Sequence, residues 1–379
     1  MRFQHGLAFF LAALAGTAHA DFTVTTPPQV TLTPQKRVDN AIDAFKATRK
    51  FKGAVVVVID HGVMRRFYYG TRDSMGNTFN SSTPIAIASN TKTFVGTTLA
   101  IFDKYSSSIK RTTKIGTLVW SVNQSSPPYN ATLGDLADYW SGLPRDMPTA
   151  PTTRSGLYQS LNQCASWNPA CVAPEGTPGY SNYGFYVLGN ILAGQQGYAK
   201  WSDFNKHYVT EPLGMDETCT RSDSCHPNFS ATHAEPFDDN GNEVSLPPIN
   251  DITAPGGALW STANDMGMWM LYNLGNIAAT SDVRTQQLDA VLPAVQSPLH
   301  GAAGFGWKFS SLAFSDGTSS TVRWKLGRYT GFDSYIGLSD DRDTGVFVFL
   351  NRDPVDPMVS SPDDVLRDEL ATKILAQFP

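Results

Sequence analysis

Apolar residues follow two different spacings along the chain, and each spacing dominates a different region. Near the amino terminus, helical spacing predicts an amphipathic helix over residues 36–49. An apolar run at residues 53–59, a turn at 60–62 and a second run at 64–69 predict a β-hairpin. Strand patterns return only near the carboxyl terminus, in four segments: residues 304–309, 322–326, 334–338 and 345–350.

Between these strand regions, from about residue 104 to 299, the pattern is mostly helical and is broken by long polar loops. The clearest helical segments are residues 132–139, 183–193 and 262–274. A last helix is predicted with Ser361 as N-cap and Pro362 as its first residue, and its apolar face carries Leu366, Leu370 and Ile374. Strands at both ends and helices between them predict the α+β class: one antiparallel sheet built from both termini, flanked by helices, with a large helical insertion.

Composition narrows the possible partners. The chain has 379 residues and a formal net charge of −5, and its basic residues are scattered, with nothing denser than isolated pairs such as Lys36-Arg37. Nucleic acid binding needs a clustered basic face, so a nucleic acid partner is not expected. No apolar run after residue 20 is long enough for a transmembrane segment.

Residues 1–20 have the pattern of a secretory signal peptide, with Arg2 near the start, an apolar run at 7–15 and small residues at Ala18 and Ala20. A buried amino-terminal helix is the alternative. A Thr/Pro-rich leader would follow at residues 21–35, and one domain would occupy residues 36–379. We therefore expect a periplasmic or secreted protein. If a eukaryote makes it, four sequons become relevant: Asn80, Asn123, Asn130 and Asn228.

The four cysteines are close in sequence in two pairs, Cys164 with Cys171 and Cys219 with Cys225. Both pairs lie in segments typical of loops. In an oxidising compartment, this arrangement predicts two local disulfides. The chain has no Cys-x-x-Cys and no His-Glu-x-x-His, so we expect neither a metal nor another cofactor.

A Ser-x-x-Lys motif, Ser89 to Lys92, lies in an apolar helical stretch. Positions i and i+3 share a helix face, so Lys92 would lie beside Ser89. A serine hydroxyl needs a base to take its proton or a cation to stabilise its alkoxide, and a half-buried lysine has a lowered pKa that suits a base. A second copy, Ser107 to Lys110, lies in a polar run typical of a loop.

Two further motifs follow. Tyr180-x-Asn182 comes after a turn-rich stretch and opens a helical run, and a tyrosine there can point into a cleft. Lys325-x-Gly327 lies on a predicted strand, where glycine allows close approach of a substrate and lysine adds a positive charge. Taken alone, Tyr180 is more typical of a helix start than of a catalytic site, and Lys325 is more typical of an edge strand.

The order and separation of these three motifs resemble the class C β-lactamase and penicillin-recognising serine hydrolase family. Three shorter segments also resemble the family: residues 133–144 (its SGLP segment), 211–215 (its PLGM) and 255–266 (its GG…STA.DM). The resemblance extends from about residue 36 to the carboxyl terminus. The SGLPR sequence at residues 141–145 and the Tyr-Ser-Asn motif are most similar in style to the periplasmic D-alanyl-D-alanine carboxypeptidases/endopeptidases.

The resemblance implies a role for each motif residue. Ser89 would be the acylated nucleophile, and Lys92 and Tyr180 would share the proton transfers. Asn182 would hydrogen-bond the acyl amide of the substrate, and Lys325 would anchor the substrate by its charge.

Three more assignments follow from the resemblance. The backbone N–H groups of Ser89 and Arg328 would form the oxyanion hole, with Gly327 in the third motif beside them. Asn351 falls where the family often has an asparagine near the substrate carboxylate. A peptidoglycan peptide or a β-lactam is then the expected partner.

The third motif departs from the family pattern, because Leu326 replaces the usual Thr or Ser whose hydroxyl contacts the substrate carboxylate. Arg328 could replace that contact. Residues three apart on a strand point to opposite faces, so we expect Arg328 to reach the cleft only if Gly327 bends the strand in a bulge. Without that bend, an esterase becomes more plausible than a carboxypeptidase.

Four functions therefore remain open at this stage. The sequence favours a D-Ala-D-Ala carboxypeptidase or endopeptidase that penicillins acylate. A β-lactamase, an esterase on the same scaffold and a non-catalytic binding module are the alternatives, and the presence of Ser89, Lys92 and Tyr180 weighs against the last. No G-x-S-x-G motif is present, which argues against an α/β-hydrolase.

Overall fold

A computed structural model describes residues 32–174, 179–221, 225–226, 228–238, 240–352 and 363–378. The predicted signal peptide, most of the predicted leader, and Ser361 and Pro362 lie outside the described residues. Within them, no helix is long and apolar enough to cross a membrane.

The main element is a seven-stranded sheet in the order β2-β1-β10-β9-β8-β7-β6, in which every neighbouring pair is antiparallel. A three-stranded sheet has the order β3-β5-β4. The strands are β1 Gly53–Asp60, β2 Val63–Gly70, β3 Ile85–Ala86, β4 Cys219–Thr220, β5 Leu259–Ser261, β6 Ala303–Gly304, β7 Trp307–Ala313, β8 Ser319–Tyr329, β9 Phe332–Ser339 and β10 Thr344–Leu350.

Helices cover both faces of the large sheet and fill the central part of the chain. They are α1 Pro34–Lys46, α2 Thr91–Tyr105, α3 Ile115–Leu118, α4 Leu133–Ala137, α5 Arg154–Ser160, α6 Asn182–Gln195, α7 Trp201–Asn205, α8 Phe229–Thr232, α9 Ala263–Asn273, α10 Val283–Val295, α11 Asp363–Leu366 and α12 Thr372–Leu375. The α+β prediction, with a sheet built from both termini, is confirmed.

The uninterrupted apolar run of β1 is explained by burial of both its faces. Its side chains alternate between two cores, as the two-residue period of a strand requires. Val55, Val57 and Ile59 pack in the core that contains α2. Ala54, Val56 and Val58 pack with α1 and with the carboxyl-terminal helices, whose buried residues include Leu366, Leu370 and Ile374.

Two boundaries differ from the sequence prediction. Helix α1 begins at Pro34 because the Thr33 side chain accepts a hydrogen bond from the Lys36 N–H and so caps the helix. The terminal helix contains a π-helical turn, Arg367–Ala371, between α11 and α12, which the spacing of its apolar residues did not indicate.

The helical region also contains strands that the sequence analysis missed. β4 and β5 pair there, and β5 pairs with β3 immediately before the Ser89 motif. Both predicted disulfides are confirmed, with Cα–Cα separations of 5.3 Å for Cys164–Cys171 and 6.0 Å for Cys219–Cys225. The second disulfide starts within β4 and ties this small sheet to the following loop.

Candidate active site

Ser89 lies in a single 3₁₀ turn, Ala88–Asn90, between β3 and α2. The Ile87 N–H donates to the Leu259 carbonyl, which fixes the turn against β5. Ala88 has a positive φ of 48°, a conformation that non-glycine residues adopt rarely and that often marks functional sites. The half-buried Ser89 side chain is thereby held at the start of α2.

Lys92 is fully buried one helical turn after Ser89. Its Nζ lies 3.1 Å from the Ser89 Oγ and 2.7 Å from the Asn182 Oδ1, and it also contacts the Gly256 carbonyl. Burial lowers the pKa of Lys92 well below its ordinary value, and the positive charge of Lys325 lowers it further.

These contacts fit both protonation states of Lys92: a protonated Nζ can donate to all three oxygens, and the neutral form can keep two of these bonds. A neutral lysine has two N–H donors and one lone pair, and the Asn182 Oδ1 and the Gly256 carbonyl can each accept one N–H. The lone pair then faces the Ser89 hydroxyl. The geometry therefore equips Lys92 to accept the serine proton.

The Tyr180 hydroxyl lies on the other side of the nucleophile, 2.7 Å from the Ser89 Oγ. Two cationic groups lie near its ring, the Lys325 Nζ at 4.9 Å and the Arg145 guanidinium at 5.1 Å from the centroid. The Lys92 Nζ, at 4.9 Å from the centroid, becomes a third when it accepts the serine proton. Positive charge at these distances stabilises negative charge that develops on the phenol oxygen during proton transfer.

Asn182 is the first residue of α6, and the preceding Ser181 caps that helix by accepting from the Gly184 N–H. The Asn182 side chain joins two groups, because its Oδ1 accepts from Lys92 and its Nδ2 donates to the Asp146 Oδ1 at 2.7 Å. These bonds fix the orientation of the amide beside the nucleophile.

Lys325 and Gly327 come from the part of β8 that passes the Ser89 turn. β7 pairs with β8 only as far as the Lys308–Trp324 pair, so among the described strands none covers this edge of β8 after Trp324. A Cβ on Gly327 would lie 2.3 Å from the Ile87 carbonyl oxygen, so only glycine allows this close approach. The buried Lys325 Nζ donates to the Leu326 carbonyl at 2.9 Å.

β8 has no bulge at Gly327, the condition under which Arg328 was expected to reach the cleft. β8 and β9 pair in one continuous register from Arg323 to Tyr329, without an extra residue. Arg328 nevertheless lines the cleft, because the uncovered edge of β8 leaves room for a long side chain from the other face. Its Nε lies 3.4 Å from the Asp333 Oδ1.

Asn351 does not reach the cleft, which corrects the prediction of a contact with the substrate carboxylate. It follows β10 and is fully buried, and its Oδ1 accepts from the Gly53 N–H at 2.6 Å. Its Nδ2 donates to the carbonyls of Thr71 and Arg72. This side chain therefore joins β1 to the segment after β2.

Five of the predicted residues, Ser89, Tyr180, Asn182, Lys325 and Arg328, line one cleft of about 260 Å³. Lys92 and Gly327 lie outside its lining, and Lys92 reaches the site through its contact with the Ser89 Oγ. Five cationic side chains line the cleft, and the described lining contains no carboxylate. Besides Arg328, three of these cations lie outside the three sequence motifs, and so does the Gly256 carbonyl that contacts Lys92. The described lining residues are Ser89, Arg145, Tyr180, Asn182, Lys308, Trp324, Lys325, Leu326, Arg328 and Arg367.

The described residues include two groups with metal-ligand chemistry. One contains Cys219 and Cys225, whose sulfurs are joined in the disulfide. The other comprises Asp135, Asp138 and His300, in which the His300 Nδ1 contacts the Asp138 carboxylate directly. Neither group includes a residue of the cleft lining.

Comparisons with known proteins agree with this geometry. Residues 38–371 match the family model described as "Beta-lactamase". The chain is 26% identical over 273 residues to the D-alanyl-D-alanine-carboxypeptidase/endopeptidase AmpH of Escherichia coli K12, which is 67% of each chain. It is also 26% identical over 240 residues to Beta-lactamase-like protein 4 of Dictyostelium discoideum, covering 57% of this chain and 40% of that protein.

Solved structures show the same fold. A class C β-lactamase from Rhodobacter sphaeroides superposes with a TM-score of 0.73 at 21% identity, covering 90% of this chain and 99% of that one. A class C β-lactamase in complex with cefoxitin gives a TM-score of 0.73 at 19% identity, with 90% and 98% coverage. Since the family model covers most of the sequence, the chain belongs to the β-lactamase family and has the fold of its class C members.

Proposed function

We propose that this protein is a periplasmic or secreted serine hydrolase that acts on D-Ala-D-Ala peptides of peptidoglycan through an acyl-enzyme at Ser89. One observation carries the proposal. The Ser89 Oγ lies within hydrogen-bond distance of both the Lys92 Nζ, at 3.1 Å, and the Tyr180 hydroxyl, at 2.7 Å. A nucleophile between two proton-transfer groups is the arrangement that acyl transfer requires.

In the proposed acylation step, Lys92 accepts the Ser89 proton as the serine oxygen attacks the substrate carbonyl. Tyr180 donates its proton to the departing amine, and the proton that Lys92 accepted from Ser89 then restores the Tyr180 hydroxyl. The backbone N–H groups of Ser89 and Arg328 are proposed to hold the developing oxyanion, since both residues border the cleft.

The acyl half of the substrate would lie in an adjoining cavity of about 310 Å³. Ser89 and Asn182 line both this cavity and the catalytic cleft, so a peptide can pass from one to the other across the nucleophile. In this position the Asn182 amide, fixed by Lys92 and Asp146, would bond the acyl amide group.

The charge of the cleft favours a carboxylate-bearing substrate over a neutral ester. Lys325 and Arg328 both line the cleft, and Arg328 reaches it despite the missing bulge. They supply the cations that Leu326 cannot, and a charge-assisted hydrogen bond contributes about 1.5–3 kcal/mol. The similarity to AmpH, whose name describes a D-alanyl-D-alanine carboxypeptidase/endopeptidase, supports the same substrate class.

β-Lactam hydrolysis is the second candidate, because the class C β-lactamases share this fold, one of them in complex with cefoxitin. A β-lactamase differs from a penicillin-binding peptidase in how fast water removes the acyl group. The two functions therefore separate by deacylation rate.

The test compares three substrates on one preparation: a D-Ala-D-Ala peptide, nitrocefin and a p-nitrophenyl ester, with Ser89→Ala as control. We expect the peptide to have the highest kcat/KM, and nitrocefin to acylate the protein and to be released slowly. Rapid multiple turnover of nitrocefin with an inert peptide would replace the proposal with a β-lactamase, and turnover of the ester alone would replace it with an esterase.

A further inference from the structure

Two cations of the cleft lie against one indole ring. The Lys308 Nζ is 5.3 Å and the Arg367 guanidinium 4.8 Å from the centroid of the Trp324 ring. Trp324 is only 7% exposed, and its Nε1 donates to the Ser310 Oγ at 2.9 Å. The ring is therefore fixed, and it holds two positive groups at defined positions on the cleft wall.

These groups come from different parts of the fold. Lys308 lies on β7 and Arg367 on the π-helical turn of the carboxyl-terminal helix, and Trp324 lies directly before Lys325 on β8. All of them line the same cleft as Ser89. The two cations thus continue the positive surface of Lys325 and Arg328.

The adjoining carboxylates lie outside the described lining of the cleft, each beside an arginine. Arg145 contacts Asp146 at 3.5 Å, Arg328 contacts Asp333 at 3.4 Å and Arg367 contacts Asp368 at 2.7 Å. Asp146 and Asp368 are more than half exposed, so water weakens their attraction for the guanidinium groups. Arg367 donates to both oxygens of Asp368, at 2.7 and 2.9 Å, and the charged side chains of the described cleft lining are all cations.

We propose that Lys308 and Arg367, held by Trp324, form a second anion subsite that binds a carboxylate in addition to the one at Lys325 and Arg328. The inference rests on the proposed peptidase function and specifies its substrate. The preferred leaving residue carries two carboxylates, one at its α-carbon and one on its side chain.

A physical argument supports the second anion. Like charges gathered in one cleft repel one another, and a single carboxylate offsets only part of that repulsion. A dianionic leaving residue offsets more of it and gains charge-assisted hydrogen bonds from both groups. Both pairs of cations line the same cleft, and we infer that the two carboxylates of one residue reach both.

The experiment uses N-acyl-D-Ala-D-Glu and N-acyl-D-Ala-D-Gln, which have the same shape and differ by one negative charge. We expect kcat/KM to favour the D-Glu peptide by about tenfold or more, and the preference to shrink as NaCl is raised. Lys308→Met and Arg367→Met should each reduce the preference. Lys36→Met, an exposed site on α1 outside the cleft lining, makes the same charge change and should leave the preference unaltered.

Binding to Ser89→Ala, measured by calorimetry, tests the inference without turnover. The subsite is supported if the D-Glu peptide binds with a lower Kd than the D-Gln peptide and if Lys308→Met and Arg367→Met reduce this difference. If the subsite is supported in this way but the wild type cleaves neither peptide, only the proposed function is refuted. Equal affinity for both peptides, no binding of either, or an equal loss of preference in Lys36→Met would refute the subsite.

Discussion

The Tyr180 hydroxyl and the Ser89 Oγ lie 2.7 Å apart, with the Lys92 Nζ 3.1 Å from the same serine oxygen. We predict that Tyr180→Phe lowers the acylation rate by about 10²–10⁴, the usual loss when a general acid–base group is removed. The fold should be unchanged, since the ring and its stacking on Tyr139 remain. Stopped-flow acylation with a penicillin and circular dichroism measure the two effects.

Tyr105→Phe provides the matched control, because Tyr105 is exposed at the end of α2. It should acylate at the wild-type rate. If Tyr180→Phe does so too, the tyrosine has only a structural role.

Lys92 should determine how the acylation rate depends on pH on the acidic side of the profile. Burial lowers its pKa well below the ordinary value, so the neutral base predominates above that lowered pKa and is lost as the pH falls through it. The acylation rate should therefore fall on acidification. The arginine in Lys92→Arg stays protonated and cannot act as a base, so the acylation rate of this variant should be lower by about 10² or more at every pH.

Lys110→Arg in the second Ser-x-x-Lys copy should keep the wild-type profile. A Lys92→Arg variant with a normal rate would exclude Lys92 as the base.

Penicillin should add one adduct mass to the protein, and peptide mapping should place it on Ser89. The competing motif is unsuitable, because Ser107 is exposed in the loop after α2 and the Lys110 Nζ donates instead to the Asp103 carbonyl at 2.7 Å. Ser107→Ala should be acylated normally, and Ser89→Ala should not. An adduct on Ser107 would overturn the assignment.

Arg328→Ala should raise KM for D-Ala-D-Ala peptides about tenfold or more and leave neutral esters nearly unaffected, because only the peptide loses a charge-assisted hydrogen bond. Steady-state kinetics on both substrates measures the difference. Arg66→Ala, outside the cleft lining, is the control. Equal losses on both substrates, or no loss on either, would remove the carboxylate role from Arg328.

Asp265 should make stability depend on pH. Burial raises its pKa to about 7, although the Thr218 hydroxyl opposes the shift. An unfolded aspartate has a pKa of about 3.9, so between these values the folded state binds more protons and the free energy of unfolding decreases as the pH rises.

Urea denaturation of the wild type and Asp265→Asn from pH 4 to 8 isolates this contribution. The wild type should lose stability relative to the variant as the pH rises towards 8. Parallel curves would show that Asp265 titrates normally in the folded protein.

Long elements could be predicted from the sequence because they contain many periodic positions. The apolar run of β1 and the helix now bounded as Asn182–Gln195 are examples. β4 has only two residues, Cys219 and Thr220, and two positions contain no period. Its pairing with β5 depends on residues that are distant in sequence. The π-helical turn that begins at Arg367 likewise depends on contacts with distant residues.

The candidate site divides in the same way. Ser89 and Lys92 are one turn apart, so helical geometry alone places them together. No local pattern distinguishes Lys308 or Arg367, because they meet only through Trp324 in the folded chain. The prediction that Asn351 contacts the substrate was wrong because it rested only on the residue's position in the family pattern. That position does not reveal the hydrogen bond to Gly53, which turns the amide away from the cleft.

The pairing of β1 with β10 has a consequence for how the protein acquires activity. During synthesis, β1 and β2 emerge one after the other, but β10, the partner strand for the other edge of β1, is made only after the whole helical region. Until β10 arrives, that apolar edge can pair with other chains, and the Ser89 turn precedes the Lys325 strand by most of the sequence. Non-local closure of this kind is slow, so aggregation competes with folding and the nucleophile stays unassembled until the far end of the chain has folded.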